Sequence, residues 1–202
     1  NSQPDSEEVA KVLNDKDYPF FNRAVSGEYP SGSTIKPVFG VAALAEGVIT
    51  QATNFNSTGG VWAGNSFFAD WKAGGHGATN IYKAIAESVN TFFYQVGGGY
   101  KDFVGLGATK IKKWLQVFNW GSETGIDLPE EGEGILPDLK NDWRLGDTYH
   151  LSIGQGLFSI TPLQVALAYA AIANGGTLFQ PQVVHEVVDN EKNVLEKFEH
   201  KI

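Results

Sequence analysis

A chain of 202 residues with ordinary apolar, charged and aromatic content is long enough for one domain with a sizeable core, which sets aside disordered and fibrous classes. A formal charge of -8 with only 15 Lys plus Arg argues against a surface that neutralises nucleic-acid phosphates or lies on an anionic membrane. The absence of cysteine excludes a disulfide framework, a thiolate zinc site and a cysteine nucleophile, and leaves the redox compartment open.

The first thirty or so residues are polar and turn-rich, punctuated by Pro4, Asn14 and Pro30, and read as a short helix within an extended lead-in. NSQPDSEEVA has neither the basic nor the apolar region of a signal, and no run approaches the roughly 18–20 apolar residues of a membrane span. An anchor on a longer parent protein is compatible with both observations. From Ser33 the sequence STIKPVFGVAALAEG turns apolar and alanine-rich, which predicts a buried helix over 33–46 stopped by Gly47. Residues 51–77 are rich in Gly, Asn, Ser and Trp without a sustained period and predict long loops with at most one short strand.

Helical patterning returns over 80–88, breaks near Val89 and Asn90, and resumes in TFFYQVG until the glycine run 97–99. LGATKIKKWLQVF, 106–118, predicts another helix, and SETGIDLPEEGEGILPD, dense in Gly, Pro and acids, predicts a loop. Thr161-Pro162-Leu163-Gln164 has the pattern of a capping box, with Pro at the first helical position, and opens a helix over 162–173 that ends at Asn174-Gly175. Alternation in the final segment around Asp189-Asn190 predicts a small hairpin.

Ser33 and Lys36 form S-x-x-K, a spacing that stacks both side chains on one helix face about a turn apart. A serine hydroxyl becomes a nucleophile only when a base takes its proton, and a lysine serves only with a lowered pKa. Burial and the positive end of a helix both favour the neutral amine. With 11 serines and 13 lysines about one S-x-x-K arises by chance, so the motif alone is weak and a serine cap beside a solvated lysine is the simpler reading. Ser88-Val89-Asn90 falls at the break between two helical stretches, where a hydroxyl and an amide can face a cleft or merely bond locally.

S-x-x-K with S-D-N and K-T-G is the pattern of penicillin-binding proteins and class A β-lactamases, and Ser88-Val89-Asn90 stands here as its second element. YPSGSTIKP (29–37), preceded by FNRAVSGEYP, resembles the nucleophile segment of class B penicillin-binding proteins, and TGIDLPEE (124–131) and SIGQGLFSITPLQVALAYAAIANGG (152–176) resemble two further blocks of that family, in unbroken order. WKAGGHG and ESVNTFFYQV are most similar to its elongation-type group, penicillin-binding protein 2. The resemblance implies an α+β transpeptidase fold and a D,D-transpeptidase without cofactor or metal. It makes Ser33 the nucleophile acylated by a D-Ala-D-Ala stem peptide and trapped by β-lactams, and Lys36 its base. Ser88 becomes a proton relay to the leaving amine, and Asn90 binds the substrate amide. Half of the oxyanion hole is the Ser33 N–H, and Gly154-Gln155-Gly156 shapes the cleft. It also implies peptidoglycan stem peptides, β-lactams and cell-wall elongation proteins such as a glycosyltransferase as partners, with no nucleic acid. The location implied is the outer face of the inner membrane, through an N-terminal anchor absent from this chain.

No K-T-G or K-S-G occurs, and the first thirty residues offer no convincing strand. Residues 1–202 are therefore expected to be a partial transpeptidase domain, mainly helical, with most of the central sheet missing and doubtful activity in isolation. Helices 33–46 and 162–173 should then expose apolar surface. The rival readings are a serine β-lactamase or β-lactam sensor of the same fold, and a non-catalytic docking module. Asp70 and His76 order a loop more simply than they bind metal, for the histidines at 76, 150, 185 and 200 have no ligand spacing. Glu130, Glu131 and Glu133 read as a solvated loop, and Trp62, Trp71 and Trp143 as loop packing rather than a substrate groove.

Overall fold

The computed structural model describes residues 6–140, 142–199 and 201–202; Pro4 and His200 lie outside them. Helix α1, Ser6–Leu13, and an irregular lead-in come first. The nucleophile segment is a 3-10 turn, Gly32–Ile35, continuing into α2, Lys36–Ala45, with Pro37 in the first turn of α2, where its missing N–H costs nothing. The predicted helix is thus present, but its first turn is 3-10 rather than α.

Residues 55–79 correct the loop expectation. Four strands form there: β1, Phe55–Ser57, pairs antiparallel with β4, Gly77–Thr79, and β2, Gly60–Ala63, pairs with β3, Ser66–Ala69. Strands of three or four residues broken by glycines are too short for a period of two to register in the sequence. Asn80 caps α3, Ile81–Ala86, by accepting the Lys83 N–H at 3.1 Å, and α4, Asn90–Gly98, follows after the predicted break. Helix α5 covers Gly107–Val117.

Helix α6, Leu145–Ser152, was not legible beforehand, because two of the four residues it buries, Thr148 and Ser152, carry hydroxyls and blur the apolar period. Helix α7, Pro162–Ala173, opens on the expected box: Thr161 Oγ1 accepts from Gln164 N at 3.1 Å, and Gln164 Oε1 accepts from Thr161 N at 2.9 Å. The final hairpin, β5 Glu186–Val188 with β6 Val194–Lys197, turns at Asp189 and is exposed along both strands. The described residues hold three two-stranded sheets and no larger one, a largely helical arrangement.

Helix α4 lies at the centre. Thr91 to Gly97 are all buried, and the helix touches α2, α3, α5, α6 and the first three strands. A helix that is apolar nearly all round belongs in a core. Phe39 of α2 and Phe92 and Phe93 of α4 share one cluster with Ile111, Leu115 and Trp120, each buried phenylalanine contributing about 1.5–3 kcal/mol. Helix α6 approaches α4 over Gly97 and Gly98, where a Cβ would meet Ser152 Oγ at 1.8 Å and the Tyr149 ring at 2.5 Å.

The expected apolar exposure holds for α7, whose outer face leaves Ala166, Tyr169, Ala170, Ile172 and Ala173 open to solvent. It fails for α2, which buries Val38, Phe39, Gly40, Ala42 and Ala43 and leaves mainly Leu44 outside. The accessible surface, 12254 Å², exceeds the roughly 9,300 Å² of a compact monomer of 21.9 kDa, in keeping with uncovered faces.

The α4–α6 contact makes a direct prediction. Gly97→Ala should destabilise by about 1–3 kcal/mol through overpacking, and Ser152→Ala should restore part of the loss by removing the hydroxyl it strikes. Urea unfolding of the single and double variants measures both effects; additive losses would show that the two helices do not meet there.

Candidate active site

Ser33, second in the 3-10 turn, is exposed. Three distant segments hold this turn. The Gly32 N–H donates to the Gly154 carbonyl at 2.9 Å, and Tyr169 of α7 donates its hydroxyl to the Thr34 carbonyl at 3.1 Å. Just upstream, Tyr29 and Ile160 exchange both backbone hydrogen bonds at 2.9 Å. Gly154 has φ +72°, and a Cβ on it would fall 2.1 Å from the Gly32 oxygen. Only glycine lets the Gly154-Gln155-Gly156 turn approach the nucleophile turn so closely. That segment is a tight backbone turn packed against the nucleophile turn.

Lys36, one helical turn later, is only 2 % exposed. Its ammonium donates three hydrogen bonds: to the Ser88 carbonyl at 2.7 Å, Ser88 Oγ at 2.9 Å and Asn90 Oδ1 at 2.6 Å. Burial lowers its pKa from the usual lysine value to about 8, against an opposing pull from the negative charge of Asp70. An amine so placed is fully hydrogen-bonded when charged, yet close enough to neutrality to accept a proton near physiological pH.

Ser88 occupies the break between α3 and α4 with φ +52°, a left-handed conformation rare for a residue other than glycine. The turn lets one residue aim both its carbonyl and its hydroxyl at Lys36. Ser88 Oγ is also 3.0 Å from Ser33 Oγ. The three motif residues therefore converge, with one refinement. Lys36 reaches Ser33 through Ser88, not directly, since its three donors all go to residues 88 and 90. Asn90, expected to bind the substrate amide, has its carboxamide oxygen engaged by Lys36, which leaves Nδ2 as its donor.

Comparison with known proteins gives the family. The sequence profile of the penicillin binding protein transpeptidase domain matches residues 2–201. The chain belongs to the penicillin-binding protein transpeptidase family. It is 41% identical over 177 residues to the peptidoglycan D,D-transpeptidase MrdA of Acinetobacter baumannii, a match covering 83% of this chain and 25% of that protein. Against MrdA of Escherichia coli the identity is 36% over 200 residues, covering 94% of this chain and 30% of the relative. Among solved structures, the penicillin-binding protein PBP2 of Helicobacter pylori in complex with MreC superposes with a TM-score of 0.79 at 36% identity, over 94% of this chain and 35% of that one. PBP2 of Pseudomonas aeruginosa in complex with WCK 5153 gives 0.80 at 29% identity, over 88% and 40%. The chain thus spans between a quarter and a third of the curated relatives it matches.

Within this penicillin-binding protein domain the remaining candidates sort by contact. Asp70 and His76 are buried and pair with each other and with Thr91 and Glu87, the loop-ordering role expected of them. No group of three or more potential ligands arranged for a metal occurs among the described residues. Glu131 corrects the solvated-loop reading, for its carboxylate accepts the N–H groups of Thr124 and Gly125 and the Thr124 hydroxyl. Trp143 packs on the core and donates to Thr148, while Trp62 and Trp71 stay largely exposed. Sequence reasoning missed Trp71 as a donor to the backbone of Glu87 and Ser88, and Tyr169 as a donor to Thr34; partners 16 and 135 residues apart leave no local signal.

The Lys36 environment predicts its titration. Isotope-edited NMR of the lysine side chains should find Lys36 titrating near 8, with Asp70→Asn moving the midpoint lower because the charge that favours the ammonium is gone. The folded pKa lies below the unfolded one, so between about pH 8 and 10.5 the unfolded chain binds the extra proton and stability rises with pH across that window. A midpoint at the ordinary lysine value would contradict the buried geometry.

Proposed function

We propose that these residues form the acylation site of a peptidoglycan D,D-transpeptidase, acting on D-Ala-D-Ala stem peptides and trapped by β-lactams. The observation that carries this reading is the chain of contacts Ser33 Oγ, Ser88 Oγ, Lys36 Nζ, which links a solvent-facing nucleophile to a buried amine of lowered pKa. The relatives named peptidoglycan D,D-transpeptidase support it.

The geometry supports the following steps. With Lys36 neutral, the Ser33 proton passes to Ser88 Oγ as the Ser88 proton passes to Lys36 Nζ. Ser33 Oγ attacks the penultimate D-Ala carbonyl, and the Ser33 N–H stabilises the oxyanion. Lys36 returns its proton through Ser88 to the leaving D-Ala amine as the C–N bond breaks. An amine of a neighbouring stem peptide then takes the acyl group by the reverse route. Asn90 Nδ2 holds the donor peptide. This reading assigns the substrate carboxylate and the second oxyanion donor to residues outside this stretch, which contains no K-T-G or K-S-G. It also places the protein at the outer face of the cytoplasmic membrane, anchored by a segment outside these residues, working with elongation proteins such as MreC, the partner in the Helicobacter pylori complex. No helix among the described residues is long and apolar enough to cross a membrane.

Covalent labelling of the intact protein by a fluorescent penicillin tests the reading. Mass spectrometry should locate the adduct on Ser33, and Ser33→Ala and Lys36→Ala should each lower the labelling rate by ~10³-fold or more. Lys36→Arg should fail equally, because a guanidinium keeps the charge and never serves as a base. The wild-type rate should climb as pH rises toward about 8, where Lys36 loses its proton. An arginine variant labelled at the wild-type rate would remove Lys36 from the role of base.

A further inference from the structure

The loop 70–76 makes no hydrogen bond to Ser33 or Lys36 and acts on Lys36 only through the charge of Asp70, yet its polar side chains converge on the helix break that holds the amine. Trp71 Nε1 donates to two successive carbonyls, Glu87 O at 3.1 Å and Ser88 O at 3.2 Å. The Asp70 carboxylate accepts both the N–H and the hydroxyl of Thr91 through Oδ2, at 2.9 and 3.0 Å. Its Oδ1 lies 3.3 Å from His76 Nε2, and His76 Nδ1 lies 2.8 Å from Glu87 Oε2. Residues 87, 88 and 91 are therefore gripped on both sides of Ser88 and Asn90.

The loop is itself rooted in the fold. Asp70 N donates to the Gly59 carbonyl at 2.8 Å, His76 N donates to Ser57 Oγ at 3.2 Å, and Lys83 Nζ donates to the His76 carbonyl at 2.6 Å. Ser57 Oγ in turn lies 2.7 Å from Thr91 Oγ1, closing the network onto α4. Such rooting is what a strained turn requires, because a left-handed Ser88 persists only where its surroundings over-determine it. Released, Ser88 would swing its carbonyl and hydroxyl away from Lys36, and the two bonds that place the amine beneath Ser33 would go with them.

We propose that loop 70–76 is a brace for the Ser88 turn, in which Trp71 holds the carbonyls of Glu87 and Ser88 while Asp70 and His76 hold Thr91 and Glu87. All are positioning residues for acylation of Ser33, and the proposal rests on the functional reading above. Because the brace hydrogen-bonds to neither Ser33 nor Lys36 and reaches the site through the backbone of the Ser88 turn, its loss acts chiefly on the first-order acylation step.

The concentration dependence of fluorescent-penicillin labelling in the intact protein separates those two quantities. Trp71→Phe keeps the exposed ring and deletes only the N–H; the first-order acylation constant is expected to fall about tenfold while Kd changes less than about threefold, with the thermal unfolding midpoint unchanged. Glu87→Ala is expected to behave alike, whereas Glu87→Gln retains near wild-type acylation because its amide can pair with the imidazole in either tautomer. Wild-type first-order rates in both Trp71→Phe and Glu87→Ala, or a loss confined to Kd, would overturn the brace. If the wild type itself acquires no label on Ser33, the functional reading fails separately. Amide hydrogen exchange at residues 88–91 then decides: faster exchange in both variants upholds the brace, and unchanged protection overturns it.

Discussion

One buried amine organises this site. Lys36 sits beneath the surface with all three of its donors bound to a single helix break, two to Ser88 and one to Asn90. Desolvating an ammonium is costly, and here the cost is offset by three short hydrogen bonds and by the negative charge of Asp70. The same balance keeps the amine charged at rest while leaving deprotonation within easy reach. Displacing the Ser88 carbonyl and Asn90 together would either strand a buried charge or let the side chain turn to water, and in both cases the link to Ser33 is lost.

Much of the fold serves that placement. The break between α3 and α4 must present a carbonyl and a hydroxyl from one residue, which forces Ser88 into a left-handed turn. Helix α4 must be immobile, and it is the most enclosed helix, packed by α2, α3, α5 and α6. The nucleophile turn must meet the amine from the other side, and it is fastened to Gly154, Ile160 and Tyr169 rather than to its own helix alone. The distal blocks of sequence thus have a local meaning. The Gly-Gln-Gly turn, Ile160 and Tyr169 of α7 form the seat of the turn that carries Ser33.

The parts legible in the sequence were those whose physics is local. A proline one residue after Lys36, a capping box at Thr161 and Gln164, and a helical pattern broken at Val89 each state their structure within a few residues, and each appears where it was read. Convergence of Ser33, Lys36, Ser88 and Asn90 came from resemblance, since nothing in the spacing brings position 88 to position 33. What stayed hidden was of two kinds. Short elements, such as the strands over 55–79 and helix α6 with its buried hydroxyls, are held by tertiary contacts and carry too few residues for a period to show. Relations between distant side chains, such as Asp70 with Thr91 or Trp71 with the Ser88 carbonyl, exist only once the chain is folded. The order of the proton path was hidden for the same reason, because helix spacing alone places Lys36 next to Ser33 and cannot show that Ser88 stands between them.

That intervening hydroxyl is the point on which the account turns. The most direct measurement is the rate of Ser33 acylation by a fluorescent penicillin in Ser88→Ala, in the intact protein, with folding checked by circular dichroism. The variant leaves the Ser88 carbonyl and Asn90 to hold Lys36 and removes only the oxygen between the amine and the nucleophile. A fall of about 10²-fold or more is expected, the scale of a lost proton-transfer group. Acylation at the wild-type rate would mean that Lys36 acts on Ser33 without Ser88, and the proton path described here would be wrong.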